Sequence, residues 1–289
     1  MTSTVSVEFS GPIATITFNR PESLNAITAE GLVLSLSVTS LFVLTVYLLD
    51  YEAFANALRN IDKNPAIIAT VWQATGKWFC AGTDVKARGR PNAPVEITTR
   101  NLFASNVVPT HLDTSKAVSE HSKILVAALN GPVMGIAAAL LGHFDFIYAL
   151  PGAWFQVPFT FLGIIAEAGS SVSFVNRVGI ARANELLLFG KRKTAQELLE
   201  CGFYNEIFPE TSVEKFHQSV NRRVAADLDG LVADAVLKTR QLLRYGLNER
   251  NNMDSALLRE GYVQAERLVS GVPSERFNKI ARKEIRHKL

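Results

Sequence analysis

Two glycine-containing segments of the 289-residue chain are typical of turns that expose backbone N–H groups. The first, WFCAGTDVK at residues 78–86, places Ala81 and Gly82 after an apolar run. The second, NGPVMGIAAA at residues 130–139, places Gly135 at the start of a helical pattern. Small residues let the backbone approach a ligand closely, and the first N–H groups of a helix have no partner inside it. One N–H from each segment could therefore stabilise an oxygen atom on which negative charge develops.

Each of these segments has a simpler interpretation when it is taken alone. A tight loop with a glycine explains the first, and a helix of small residues packed on a sheet explains the second. Only the two together point to a binding site for a developing oxyanion.

Chemistry at such a site also needs a group that transfers protons, and Glu167 is the candidate. It stands among apolar and small residues in FLGIIAEAGSSVS, residues 161–173. A carboxylate in apolar surroundings has a raised pKa, which suits a group that takes and gives a proton near neutral pH. The alternative is that Glu167 only complements the N-terminus of a helix predicted at residues 169–178.

A mixed α/β core must position these residues. Period-two alternation predicts a β-hairpin from residues 5–9 and 13–18, and short apolar runs predict strands at 66–72, 125–129 and 144–149. Helical patterns lie at 51–61, 134–141, 169–178 and 182–189, and from Ser212 onward only helices are predicted, at 212–228, 231–244, 251–270 and 273–288. We expect a core over residues 1–205 and a C-terminal helical region over residues 206–289.

Residues 31–49, GLVLSLSVTSLFVLTVYLL, interrupt this pattern because they contain no charged residue. A membrane span needs about 20 such residues, but no basic cluster flanks these. Removing the segment joins Glu30 to Asp50, and Thr28 then becomes a helix N-cap with an acidic residue three positions on. The segment is a translated intron, a genuine buried or partner-facing insertion, or a membrane span, and the improved helix favours the intron.

Composition argues against several classes of protein. A net charge of +3 is too small to indicate a nucleic-acid-binding protein, and the five His and two Cys have no metal-ligand spacing. The N-terminus lacks a secretory pattern, and unpaired thiols are typical of a reducing compartment. The last residues, His287, Lys288 and Leu289, are similar to the S-K-L peroxisomal address, although a basic helix end is the alternative.

Four segments together resemble the crotonase (enoyl-CoA hydratase/isomerase) superfamily: RPESLNAIT (20–28), FCAGTDVK (79–86), NGPVMGIAAALLGHFD (130–145) and TAQELLECGFYNEIF (194–208). The resemblance implies an α/β fold, a spiral of ββα units with a C-terminal helical trimerisation region. It also implies an acyl-coenzyme A substrate with no metal or redox cofactor. Carried over, the oxyanion-hole donors are the N–H groups of Thr83 and Ile136. The implied substrate-binding residues are Ala81, Gly82, Thr83, Asp84, Val85, Lys86 and Gly135, with Lys86 as a phosphate partner.

The acid/base residue decides the reaction. Typical hydratases of this family use two glutamates, and the matching positions here hold Ala139 and Phe159, neither of which transfers protons. Glu167 instead resembles the single glutamate of peroxisomal Δ3,Δ2-enoyl-CoA isomerases, although Ala168 stands where those enzymes usually carry Gly. We therefore expect an enoyl-CoA isomerase or a hydratase-like enzyme that holds a thioester enolate.

Two alternatives stay open at this point. One is hydration or dehydration of a specialised acyl-CoA in secondary metabolism, such as mevalonyl-CoA in toxin or siderophore synthesis. The other is a catalytically weak crotonase-fold binding protein. The expected partners are the acyl-CoA, further copies in a homotrimer or hexamer, and the peroxisomal import receptor, without nucleic acid. The expected location is the peroxisome, or otherwise the cytoplasm.

Overall fold

The computed structural model describes residues 4–28, 50–84 and 98–286. The uncharged segment 31–49, the candidate ligand-binding residues Val85 and Lys86, and the C-terminal tripeptide lie outside the described residues. The expectations attached to them stay predictions.

A six-stranded sheet forms the centre of the molecule, in the order β1-β2-β3-β4-β6-β8. The predicted hairpin is present as antiparallel β1 and β2, and every later neighbour pairs in parallel. Two short strands, β5 and β7, pair separately. The bounds are β1 Val5–Ser10, β2 Ile13–Phe18, β3 Ala69–Ala74, β4 Ile124–Leu129, β5 Val133–Met134, β6 Phe146–Ala149, β7 Phe155–Gln156 and β8 Glu206–Ile207.

Eleven α-helices surround the sheet in the described ranges: α1 Asp50–Asp62, α2 Thr99–Leu102, α3 Asp113–Glu120, α4 Gly135–Leu140, α5 Phe159–Leu162, α6 Ser170–Leu187, α7 Ala195–Glu200, α8 Val213–Leu228, α9 Ala233–Arg250, α10 Met253–Val269 and α11 Val272–Ala281. A wide helix with i→i+5 hydrogen bonding, Phe103–Leu112, joins α2 to α3. The sequence analysis predicted no element there. The two predicted helices, 169–178 and 182–189, are both present within α6, which is interrupted at Gly179, where φ is 74° and ψ is 164°.

The apolar stripe of α1 packs into the main core, as its spacing predicts. Phe54, Leu58 and Ile61 are buried, and the Phe54 ring lies 4.7 Å from that of Trp72. Trp72 also contacts Phe79 edge-on at 4.6 Å. Burial of each such side chain contributes about 1.5–3 kcal/mol. Phe79 thereby fixes the start of the first glycine segment to the core.

The C-terminal helices pack on two parts of the core. Helix α8 covers the other face of the sheet with Phe216 and Val220. Helix α10 packs against the wide helix, where the rings of Phe103 and Tyr262 stack at 4.3 Å. The sheet still includes β8, so the helical region begins with α8. In the parts of the chain that the structure describes, no helix is long and apolar enough to cross a membrane.

Candidate active site

The two glycine segments lie side by side in the structure. The Met134 N–H donates to the Cys80 carbonyl at 2.9 Å, and Gly82 and Gly135 both have left-handed backbones, with φ of 85° and 62°. A Cβ atom on Gly82 would lie 2.9 Å from the Met134 carbonyl oxygen, and one on Gly135 would lie 3.7 Å from the Gly82 Cα. Glycine is required at Gly82 both by the backbone angle and by this close approach.

Thr83 and Ile136 follow these glycines, as the resemblance implies for the oxyanion donors. The Ile27 N–H donates to the Gly82 carbonyl, and the Ile27 carbonyl accepts from the Asp84 N–H, both at 2.8 Å. In a trans peptide group the carbonyl and the N–H point in opposite directions, so the Thr83 N–H, which shares its peptide group with the Gly82 carbonyl, faces away from Ile27. Ile136 is the second residue of α4, where N–H groups have no partner inside the helix.

The RPESLNAIT segment anchors the first glycine loop. The Asn25 side chain donates to the carbonyls of Thr75 and Trp78, both at 2.8 Å, and accepts from the Arg20 N–H at 2.7 Å. The Arg20 guanidinium contacts Asp84 Oδ2 at 3.3 Å. These bonds fix both ends of the loop, so the segment that carries the family resemblance also positions the predicted oxyanion donor.

Glu167 lies between α5 and α6 with 5% of its surface exposed. Gln264 of α10 donates from Nε2 to Glu167 Oε2 at 3.3 Å, and His111 Nδ1 lies 3.3 Å from the same oxygen. The Gln264 amide is oriented because its oxygen accepts from the Ile165 N–H at 3.3 Å. The carboxylate is therefore held through one oxygen by side chains from two other segments.

A different carboxylate occupies the N-terminus of α6. Glu260 of α10 accepts from the Gly169 N–H at 2.7 Å and from the Ser171 N–H at 3.1 Å. Burial raises the pKa of Glu260, while these hydrogen bonds oppose that shift. Because Glu260 complements the helix, the alternative role considered for Glu167 is filled by another residue.

Ala168, next to Glu167, has a left-handed backbone with φ of 61°. This conformation costs a non-glycine residue about 1–2 kcal/mol, a cost that glycine would not have. His143 Nε2 lies 2.7 Å from the Ala168 carbonyl, and burial lowers the His143 pKa to about 4. A neutral His143 therefore donates to this carbonyl and stabilises the turn that carries Glu167.

Tyr51 connects the glycine loops to the Glu167 cluster. Its hydroxyl lies 2.6 Å from Thr83 Oγ1, and its ring centroid lies 5.9 Å from that of His111. His111 in turn contacts Glu167. The buried side chain of Tyr51 therefore lies between Thr83, the predicted oxyanion donor, and His111, which contacts the predicted base.

A cavity of about 10 Å³, roughly enough for one water molecule, lies beside Glu167. Its walls come from the wide helix, α3, the Glu167 turn and α10. The lining residues are Val107, His111, Leu112, Ser115, Glu167, Ala168, Leu257, Glu260, Gly261 and Gln264.

The structure brings Gly82 against Met134 and Gly135, with Ala81, Thr83 and Asp84 in the same loop and Ile136 next to Gly135. The buried Glu167 is connected to Thr83 through His111 and Tyr51. The sequence analysis assigned no site role to four buried residues: Tyr51, His111, Glu260 and Gln264. A sequence signal exists for two of these, since Glu260 and Gln264 are polar residues one helical turn apart in an apolar helix pattern. Among the described residues, no group of three or more His, Cys, Asp or Glu is placed to bind a metal ion.

Comparison with known proteins finds similarity over almost the whole chain. The model of the family described as enoyl-CoA hydratase/isomerase matches residues 50–268. A "Delta(3,5)-Delta(2,4)-dienoyl-CoA isomerase" of Pyricularia oryzae is 33% identical over 301 residues, covering 100% of both chains. The mouse "Enoyl-CoA delta isomerase 3, peroxisomal" is 33% identical over 204 residues, covering 70% of this chain and 56% of that protein.

A solved structure has the same fold. The enoyl-CoA hydratase/isomerase from Pseudoalteromonas atlantica T6c superposes with a TM-score of 0.77 at 27% identity, covering 99% of this chain and 100% of that one. The predicted crotonase-type fold is therefore confirmed, with its C-terminal helices present. Trimer assembly stays a prediction.

Proposed function

Because this chain belongs to the enoyl-CoA hydratase/isomerase family, we propose that it is an isomerase that moves a carbon–carbon double bond along an acyl-CoA thioester. The thioester oxygen accepts hydrogen bonds from the N–H groups of Thr83 and Ile136. Glu167 removes a proton from the carbon next to the thioester and returns it further along the chain. The negative charge of the enolate is greatest on the thioester oxygen, where the two N–H groups stabilise it.

The buried, oriented carboxylate of Glu167 is the observation that carries this proposal. Double-bond migration needs one group that takes a proton and returns it, whereas addition of water also needs a group that activates the water. The two positions that match hydratase glutamates, Ala139 and Phe159, are apolar and buried. This arrangement favours isomerisation over hydration, and dehydration of a specialised acyl-CoA is the less favoured reaction.

The proposal also covers the cofactor requirement, the coenzyme A site, the assembly and the location of the protein. Proton transfer moves no electrons to or from an external acceptor, so the mechanism needs no redox cofactor, and the two N–H groups provide the stabilisation of the enolate oxygen that a metal ion would otherwise supply. The coenzyme A moiety lies along Ala81, Gly82, Thr83, Asp84, Val85 and Lys86. Assembly as a homotrimer or hexamer and import through His287, Lys288 and Leu289 belong to the same proposal, and one relative is named as peroxisomal.

The test is turnover of 3-enoyl-CoA to 2-enoyl-CoA, followed by the absorbance of the conjugated thioester. Glu167→Gln is expected to lower kcat by about 100-fold or more, since a general base is lost. Calorimetry should show binding of a saturated acyl-CoA within about twofold of wild type, because the oxyanion donors remain. The exposed Glu210→Gln is the matched control and should change neither quantity.

Two results would overturn the proposal. One is wild-type turnover by Glu167→Gln. The other is a wild-type protein that hydrates 2-enoyl-CoA but does not isomerise 3-enoyl-CoA.

A further inference from the structure

The stretch of chain that carries Glu167 has no regular secondary structure of its own. Residues 163–169 lie between α5 and α6 and belong to no helix or strand. Three of them, Gly163, Ala168 and Gly169, have left-handed backbones, so the chain turns at both ends of this stretch. Irregular chain is held only as firmly as its contacts with neighbouring elements allow. The position of the Glu167 carboxylate therefore depends on those contacts.

A row of polar side chains on α10 supplies many of these contacts. The polar row consists of Glu260, Gln264 and Arg267, which are four and three positions apart and therefore share one face of the helix. Glu260 and Gln264 make the contacts with the start of α6 and with Glu167 that are described above. Arg267, the next member, donates from Nε to the Gly163 carbonyl at 2.9 Å.

The spacing of the polar row matches that of the stretch it contacts. From Arg267 back to Glu260, the contacts move along the chain from residue 163 through 165 and 167 to 169 and 171. One turn of an α-helix rises about 5.4 Å, and two residues of irregular chain span at most about 7 Å. Each turn of α10 therefore meets the next pair of residues, so the whole stretch is fixed along the helix.

Helix α11 fixes the beginning of the same stretch. Arg276 donates from Nε to the Phe161 carbonyl at 2.6 Å, and its guanidinium lies 4.6 Å from the centre of the Phe161 ring. A Cβ on Gly163 would lie 2.9 Å from Val272 Cγ1, so α11 packs directly on the backbone here. The last carbonyls of a short helix such as α5 lack partners inside it, and the two arginines supply donors at this end.

We propose that Arg267 and Arg276 are positioning residues for the isomerisation, because their hold on the Gly163 and Phe161 carbonyls sets where Glu167 meets the substrate. This inference rests on the proposed function, since it takes Glu167 as the base. A displacement of a reacting group by about 1 Å can lower the rate by about 100-fold. The thioester is bound by the two glycine segments, so the arginines affect kcat rather than substrate binding.

A purely structural role, in which the arginines only attach α10 and α11 to the core, predicts different results. Loss of such a role would lower the melting temperature and leave kcat of the folded enzyme unchanged. Glutamine has an amide N–H donor the same number of bonds from Cα as Nε of arginine, whereas methionine has a methyl group there. Both substitutions remove the charge and the stacking on Phe161. A comparison of the two therefore isolates the hydrogen bond to the carbonyl.

The experiment measures kcat and KM for 3-enoyl-CoA isomerisation by Arg267→Met, Arg267→Gln, Arg276→Met and Arg276→Gln. Each methionine variant is expected to lower kcat by about fivefold or more with KM within about twofold of wild type. Each glutamine variant should keep kcat within about twofold. Arg259→Met is the matched control, because the exposed Arg259 donates only within α10, to the Ser255 carbonyl at 3.1 Å. It should keep wild-type kcat.

A double substitution tests whether the arginines act through Glu167. Residues that act through one group lose their effect when that group is removed. Arg267→Met and Arg276→Met should therefore change the residual turnover of Glu167→Gln by less than about twofold. An effect on the general shape of the site would lower the residual turnover by the same factor as in the wild-type background.

Hydrogen exchange of the wild-type protein gives a test that needs no variant to fold. The Ile165 and Ser171 N–H groups donate to side chains of α10. If α10 holds this stretch, these amides should be protected to within about tenfold of the amides in the middle of α10.

The contrary outcomes distinguish this inference from the proposed function. Wild-type kcat in the methionine variant of either arginine, or equal losses in its methionine and glutamine variants, would overturn the role of that arginine. Unprotected amides at Ile165 and Ser171, or undiminished losses in the Glu167→Gln background, would overturn positioning through α10 and α11. Wild-type turnover by Glu167→Gln alone would instead overturn the proposed function.

Discussion

The two halves of the candidate site are built in different ways. The oxyanion half consists of backbone N–H groups from two loops, each set by a glycine with a left-handed backbone. The proton-transfer half consists of side chains from three separate segments: Glu167, His111 and Gln264. Backbone sites impose small residues at fixed positions, so they leave a local pattern in the sequence. Side-chain clusters are assembled by packing, and their members can come from any part of the chain.

The largest loss of turnover is expected from a substitution that distorts the oxyanion half. Gly82→Ala puts a Cβ 2.9 Å from the Met134 carbonyl oxygen on a residue with φ of 85°. The loop must shift, and the Thr83 N–H must move with it. Loss of one oxyanion donor lowers kcat by about 10²- to 10³-fold, which is the expected result of a turnover assay.

Gly152→Ala is the matched control, because its new Cβ would meet no atom within 4 Å and its backbone angle is ordinary. It should keep wild-type turnover. If Gly82→Ala also keeps it, the first loop does not supply an oxyanion donor.

A smaller loss of turnover is expected when Gln264, at the edge of the proton-transfer half, is replaced. Gln264→Met keeps the length of the side chain but removes both the hydrogen bond from Nε2 to Glu167 Oε2 and the acceptor of the Ile165 N–H. The carboxylate should lose part of its orientation, and kcat should fall by about tenfold, which corresponds to one hydrogen bond of about 1.4 kcal/mol. KM should change little, because Gln264 contacts the base rather than the oxyanion loops.

The split between kcat and KM is the informative measurement for this variant. A large rise in KM with kcat unchanged would mean that Gln264 shapes the acyl pocket. The exposed Gln241→Met on α9 provides the control.

The difference between the oxyanion half and the proton-transfer half also explains which parts of the structure could be predicted from the sequence. The hairpin, α1 and the positions of α8 to α11 follow from clear periodicity, β4 follows from a short apolar run, and the glycine loops follow from residue type. The wide helix Phe103–Leu112 was missed because its i→i+5 bonding and the internal Pro109 do not produce a 3.6-residue period. His111 lies in that helix, so its contact with Glu167 could not be predicted.

The smallest effect on turnover is expected from removing residues 31–49. Asp50, which follows them in the sequence, lies near the oxyanion half, because Arg20 contacts both Asp50 and Asp84. Asp50 Oδ2 accepts from the Thr28 N–H at 3.0 Å and from the Thr28 hydroxyl at 2.8 Å. An acidic side chain on the N-cap N–H is one half of a capping box, and Asp50 takes position N3 when Glu30 is joined to it. The shortened chain should melt a few degrees higher, with turnover within about twofold, since an apolar stretch is removed.

Thr28→Ala in the shortened chain tests the reason for this stabilisation. Loss of an N-cap should lower its unfolding free energy by about 1 kcal/mol, as measured by chemical denaturation. If the shortened chain is unfolded or inactive while the full chain is well behaved, residues 31–49 are a true structural element.

The two halves of the site are expected to act together on one carbon acid, the carbon next to the thioester. NMR in D₂O measures this directly as exchange of the C2 hydrogens of a saturated acyl-CoA, which cannot isomerise. Wild-type enzyme is expected to catalyse the exchange, and both Glu167→Gln and Gly82→Ala are expected to slow it by about 100-fold or more. Exchange at the wild-type rate by Glu167→Gln would contradict the role of Glu167 as the base, because another group would then form the enolate.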